Sequence, residues 1–353
     1  MTSRERFHLT LSHQEADRVP MCEICFWPQT VERWRQEGLP EDQDPATFLG
    51  LDTISMTGGD FSLRLPVELI EENDDWKIER DADGTTHKVW KTNYAPPQEL
   101  DHLIKTRDDF AHHRDRLLAH EGRIAETVPQ AVKEAHDKGL FCTFNPTEPV
   151  WWTLRTLGME HALITLAEGP AFFEEMVAAH AEMTLSVLRG MLAEGEKPDA
   201  VWFFSDLCYR NGMFFSPRSY RELMMSYHRQ FADLCHEHGM FLILHCCGGA
   251  TNLIPLLIES GFDCIQPLEA RAGCDVRDLK PLYGDQITFF GNMNMDVFAT
   301  NDRELIRQEV TSKLLAAKPG GGYIYHSDHS VPPTISFDSY RYAVDLAREL
   351  GQY

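Results

Sequence analysis

From about residue 138 onward, short apolar runs rich in β-branched and aromatic residues alternate with amphipathic segments of helical period. The runs are "GLFCTFNP", "DAVWFFSD", "MFLILHCC", "FDCIQPLE", "QITFFGNMN" and "GYIYHSDHS". Between them lie stretches such as "SPRSYRELMMSYHRQFADLCHEHG", which predicts a helix with Ser216 as N-cap, Pro217 at the first helical position and Gly239 as the stop. The repeat unit is therefore strand then helix.

Strands that are apolar almost throughout, separated by helices, imply a parallel sheet covered on both faces. Adding "RVPMCEICF" and "LDTISMTG" near the start brings the count to about eight. That number suits an α/β fold of the (β/α)8 TIM barrel type better than an open doubly wound sheet. No G-x-G-x-x-G loop follows an early strand, which disfavours a dinucleotide-binding fold. One stretch breaks the rhythm: "DWKIERDADGTTHKVWK" reads as a β-hairpin turning at Asp83-Gly84. It predicts a small insertion, about residues 63–100, beside the barrel mouth of a single domain spanning 1–353.

Composition narrows the partners. No run approaches the roughly 18 to 20 apolar residues of a membrane span, and the opening "MTSRERFHLTLSHQEADRVP" is too polar for a secretory signal. A cytoplasmic protein without membrane association is expected. Lys plus Arg is 33 against 55 Asp plus Glu, a formal charge of −22. This balance opposes binding to nucleic acid or anionic membranes, and would repel a polycarboxylate ligand unless local arginines compensate. Nine cysteines, an odd number without a compact framework, argue for free thiols.

The chemistry gathers where the apolar runs stop. In "FLILHCCGG" the two-residue period of a strand points His245 and Cys247 to one face and Cys246 to the other, a two-ligand clamp followed by glycines. Other runs end in Asp206, in Glu269, in Asn292 and Asn294, and in His326, Asp328 and His329. A parallel barrel collects such residues at its carboxyl-end mouth. A catalytic zinc takes three N, S or O ligands and keeps one open position, so His245, Cys247 and one group of "HSDHS" would form a site. A mixed N/S set also admits iron or cobalt. Cys246 reads as a small buried hydrophobe. In "CEIC", Cys22 and Cys25 face opposite ways, which suits packing, while Glu23 shares a face with Cys25. Trp151 and Trp152 read as packing residues and His236 and His238 as helix-end residues. Tyr209 and Arg210 follow Asp206 in a loop and are candidates for substrate contact.

Taken together, "RERF...DRVP", "SDLCYRNGMFFSPRSYRELMMSYHRQFADLCHEHG", "LILHCCGG", "ESGFDCIQPLEARAGCDVRDLKPLYGDQITFFGNMN" and "PGGGYIYHSDHSVPP" resemble the uroporphyrinogen decarboxylase-like superfamily over nearly the whole chain. The resemblance implies a (β/α)8 barrel and one of two chemistries: metal-free decarboxylation, or zinc-dependent methyl exchange with a corrinoid protein, as in thiol methylases and O-demethylases. The decarboxylases grip substrate carboxylates with an R-Q-A-G-R type motif; the matching "EICFWPQTVERWRQEG" offers Arg33 and Arg35 without the glycine turn. The methyltransferase branch carries His-x-Cys plus a later ligand. His245 and Cys247 match, and His329 falls where that branch commonly has a cysteine. On this resemblance the ligands are His245, Cys247 and His329, with Cys246, Glu23, Glu269 and Asp328 left open. Asp206 and Glu269 are then the catalytic candidates, and Tyr209, Arg210, Asn292, Asn294 and His326 the substrate-binding ones.

The expected cofactors are zinc and a corrinoid on a partner protein. The expected partners are that protein and a small methyl donor or acceptor, with a homodimer left open. A metal-free decarboxylase or lyase and a noncatalytic binding barrel are the alternatives.

Overall fold

Each of the six apolar runs after residue 138 becomes a parallel strand in the computed structural model, which describes residues 1–91, 97–118, 121–193, 195 and 197–353. The strands are Phe141–Phe144, Ala200–Phe204, Phe241–Cys246, Cys264–Pro267, Thr288–Met293 and Tyr323–Ser327. With Ile54–Thr57 in front they form one seven-stranded sheet in chain order. The eighth place is taken by the segment around Met21, which makes only an isolated parallel bridge to Tyr325. Its backbone nevertheless closes the ring: Cys22 N–H donates to Tyr325 O at 3.1 Å, and Asp52 N–H donates to Met21 O at 2.6 Å. The run "RVPMCEICF", expected as a strand, is therefore the barrel's seam. Asp52 explains part of this, since its carboxylate accepts from Met21 N–H and from Arg18 and Ser3, holding the segment by side chains instead of a ladder.

The two-residue period of the strands sorts the interior into layers. Trp202, Ile243, Cys264, Phe290 and Ile324 pack with Cys22, Phe141 and Ala200 as one apolar cluster, and the first helix, Ser3–Leu11, adds Phe7 and Leu11. A larger cluster outside the sheet joins it to the helices. The lumen is thus a packed core, and the next residue on the same face of each strand lies one pleat nearer the carboxyl end. In four strands these are Phe204, His245, Gln266 and His326, with Ile24 two beyond Cys22, while Asn292, two beyond Phe290, turns to positive φ at 85°.

Two elements differ from expectation. The insertion is a four-stranded antiparallel sheet, Glu68–Glu72, Trp76–Arg80, Thr85–Trp90 and Gln98–His102, in chain order. Its central hairpin turns at Asp83-Gly84, as the sequence predicts, with Gly84 at φ 84°. The flanking strands were not legible because their outer residues are solvated and break the apolar alternation. Of the stretch 63–100, residues 92–96 lie outside the described residues. The segment opening at Ser216 forms two helices, Pro217–Leu223 and Met225–Glu237, because Met224 leaves helical geometry at φ −125°. Ser216 does cap the first, accepting from Ser219 N–H at 3.0 Å. Among the described residues, no helix is long and apolar enough to cross a membrane, and all nine cysteines are free.

Candidate metal centre

His245 and Cys247 leave their strand on one face, as their spacing predicts. Cys247 Sγ lies 3.5 Å from His245 Nε2, and Asp206 Oδ1 lies 3.8 Å from the same nitrogen. Possible ligand atoms of Asp206, His245 and Cys247 all fall within 4.8 Å of one another. Asp206 reaches the group from the neighbouring strand end and also accepts from Cys247 N–H at 3.0 Å, tying the two ends together. Gln266 sets the imidazole: its Oε1 accepts from His245 Nδ1–H at 2.5 Å, which leaves Nε2 as the lone-pair nitrogen facing the sulfur.

Electrostatics at this point favour an added positive charge. Burial pushes the Cys247 thiol far above its ordinary value, and the carboxylates of Asp206 and Glu269 push it further. Burial also lowers the pKa of His245, opposed by Asp206 and the Gln266 hydrogen bond and reinforced by His326 and His329. A neutral imidazole, a thiol that ionises only with help and a carboxylate are a fitting donor set for zinc.

The group opens on a cavity of about 250 Å³ lined by Ile24, Cys25, Phe204, Pro267, His326, His329 and Ser330 together with His245, Cys247 and Gln266. His329, predicted as the third ligand, is half-buried on this wall; the compact trio has Asp206 in its place. His326 also faces the cavity, accepts from Ile24 N–H at 3.2 Å and lies 3.3 Å from Glu23 Oε2. Glu23 is a brace: it accepts from Ser327 N–H and Oγ and from Tyr340 OH.

The remaining predicted residues stand apart from the cavity wall. Glu269 accepts from Gly248 N–H at 2.9 Å and pairs with Arg271 at 2.7 Å, so it holds the turn after Cys247. Asn292 is fully buried at φ 85°; its amide serves Val276 N–H, Leu268 O and Cys274 O. Asn294 caps the helix Met295–Ala299. Asp328 accepts from Ala270 and Met295 N–H. Tyr209 is exposed and stacks on Phe214, and Arg210 is exposed beside it. Cys246 is buried in the core, and His236 pairs with Asp263 at 3.0 Å. Arg33 and Arg35 lie on the helix Pro28–Gln36, Arg33 bonded to Glu37 and Pro333 O and Arg35 paired with Glu41. Gln266 was missed; its signal was a lone amide inside an apolar strand, two residues from Cys264 and on the same face.

Glycine at position 248, directly after Cys247, is required by the backbone. Gly248 sits at φ 87°, and a Cβ there would meet Tyr209 O at 2.6 Å. Gly249 N–H donates to Tyr209 O, pinning the turn to the loop after Asp206. Gly248→Ala is expected to destabilise the protein by roughly 1–3 kcal/mol, read as a lower urea midpoint at unchanged slope.

A parallel barrel with an imidazole and a thiol at one strand end and acidic groups on the neighbouring strand ends defines a barrel protein with a polar strand-end site. Residues 153–350 match the family described as Uroporphyrinogen decarboxylase (URO-D), and the chain belongs to that family. Among solved structures, a methyltransferase from Methanosarcina mazei is similar over 99% of each chain at 17% identity, with a TM-score of 0.67. A xylose isomerase-like TIM barrel protein from Mycobacterium smegmatis is 12% identical over 69% of this chain and 90% of its own, with a TM-score of 0.34. No curated protein matches the sequence.

Proposed function

We propose that the chain transfers a methyl group between a small methoxylated or thiol substrate and a corrinoid carried by a partner protein, using zinc held by His245 and Cys247 and completed by Asp206 or His329. The observation that carries this reading is the approach of an imidazole nitrogen, a sulfur and a carboxylate within 4.8 Å, with His245 and Cys247 on the wall of a cavity at the barrel mouth. Zinc bound there would supply Lewis acidity to a methoxy oxygen or lower the pKa of an acceptor thiol.

The chain's own residues do the rest. Gln266 keeps His245 in the tautomer that presents Nε2, and Asp206 holds the Cys247 backbone in register with the neighbouring strand. Phe204, Ile24 and Pro267 make the wall largely apolar, which excludes water from the transferred group. A cavity of about 250 Å³ suits a small molecule rather than a tetrapyrrole, so the corrinoid would approach from outside. Among the described residues lining it there is no Arg or Lys to grip a polycarboxylate, which weighs against uroporphyrinogen-type decarboxylation. The methyltransferase name of the Methanosarcina structure agrees with this reading.

The test combines elemental analysis of the purified protein with conversion of cob(I)alamin to methylcobalamin, followed by absorbance over a panel of methoxylated compounds; the reverse reaction is followed with thiols. One zinc per chain together with methyl transfer is the expected result. Protein that purifies without stoichiometric metal and stays inactive after zinc loading would return the chain to metal-free lyase chemistry. Zinc binding without transfer in either direction would favour the noncatalytic barrel.

A further inference from the structure

A second cavity, of about 280 Å³, lies between the inserted sheet and the barrel, and Phe204 lines both it and the metal cavity. Its wall carries Asp81 and Asp83 from the hairpin turn, Asn145 and Thr147 from beyond the strand Phe141–Phe144, and Trp151 and Arg155 from the helix Pro149–Leu157. The insertion therefore helps build a compartment that shares Phe204 with the cavity lined by His245 and Cys247.

The charges in this compartment are unequal. Arg155 is exposed at the rim and lies 3.3 Å from Glu99, so its charge is already opposed. Asp81 is committed: one oxygen takes the backbone N–H groups of Asp83 and Thr85, and the other takes His87 at 2.6 Å. Asp83 differs. Its Oδ1 accepts from Trp152 Nε1–H and Leu63 N–H, both at 2.9 Å, while its Oδ2 has no hydrogen-bond partner among the described residues. Burial pushes this carboxyl up to about 6 despite those two donors, and the nearby carboxylates Asp81 and Asp60 add to the rise. A partly buried carboxylate with one unbonded oxygen, beside the Trp151 ring that already carries the Arg155 guanidinium 6.0 Å from its centroid, has the chemistry that recognises an organic cation.

We propose that this compartment is a subsite for the ammonium group of an organic cation, with Asp83 as counter-ion and Trp151 as its aromatic wall. Identifying that cation as the methyl donor or acceptor rests on the methyl-transfer reading above; the binding itself does not. With the cationic end against Asp83, the ligand would lie beside Phe204, whose ring stacks on the His245 imidazole at 5.1 Å between centroids. The insertion would then select substrates by charge while the strand ends carry the chemistry.

Calorimetric titration of the full chain with choline, its uncharged isostere 3,3-dimethylbutan-1-ol and the anion 3,3-dimethylbutanoate tests this. Choline is expected to bind at least about tenfold tighter than either analogue. Asp83→Asn keeps the shape and the Oδ1 acceptor, and is expected to remove that preference; Trp151→Leu should weaken choline several-fold. Equal binding of the uncharged isostere, tighter binding of the anion, or an unchanged preference in Asp83→Asn would overturn the subsite. Cys247→Ala separates the two proposals, since it should retain choline binding while losing metal and transfer. Choline binding without methyl transfer sinks the activity and keeps the subsite; methyl transfer without choline binding does the reverse.

Discussion

Cys247→Ala is expected to lower zinc affinity by more than about 100-fold and to remove methyl transfer, while leaving the metal-free fold within about 1 kcal/mol of the parent. The sulfur is one of three donor atoms gathered within 4.8 Å, and its loss leaves an imidazole and a carboxylate already partly engaged by a backbone amide. Its side chain is only partly buried, so shortening it removes little packing. Competition with a chromophoric chelator measures the affinity, and urea unfolding of the apo protein measures the fold. Gln266→Leu is a graded control. Without its Oε1, His245 loses the partner that holds Nδ1–H, and metal affinity should fall by about 10- to 100-fold. A Cys247→Ala protein that keeps stoichiometric zinc would remove this residue from the metal centre.

Glu148→Ala is expected to destabilise the fold by about 3–5 kcal/mol, the largest stability effect of any single change argued for this protein. Glu148 is fully buried and accepts from His228 Nε2–H at 2.8 Å, Ser205 Oγ–H at 3.0 Å and the N–H groups of Val150 and Trp151. His228 in turn meets Tyr220 OH, which meets Ser260. Removing the carboxylate orphans several buried donors at once. Burial alone would raise the Glu148 pKa, but His228 and the two amides reverse the sign and hold it below its ordinary 4.5. A carboxyl depressed in the folded state binds fewer protons there than when unfolded. Its contribution is therefore complete above pH 4.5 and fades as pH falls through the folded value. Urea midpoints of the parent should decline below pH 4.5 more steeply than those of Glu148→Ala; parallel curves would show that the network does not couple to the fold.

Much of the barrel was legible because parallel strands buried on both faces leave a near-continuous apolar signature that ends abruptly at the mouth. "FLILHCC" became Phe241–Cys246, and the alternation that separates His245 and Cys247 from Cys246 holds in three dimensions. The Met21 segment was less legible: its apolar side chains fit a strand, but side-chain bonds to Asp52 replace a regular ladder. Asn292 and Asn294 sit at a strand end as expected, yet both serve backbone groups, because the chain turns there and its amides need acceptors.

By itself the sequence determined the repeating strand-then-helix unit, the parallel sheet it implies and the shared face of His245 and Cys247, since each follows from periods of two and 3.6 residues within single elements. Tertiary structure alone decided which distant groups meet that pair. It brought Asp206 and Gln266 to the imidazole, put His329 on the cavity wall, and carried Asp83 to the far side of Phe204. Those distances depend on strand register, barrel closure and the seating of an inserted sheet, which are set by packing between elements and leave no local period to read.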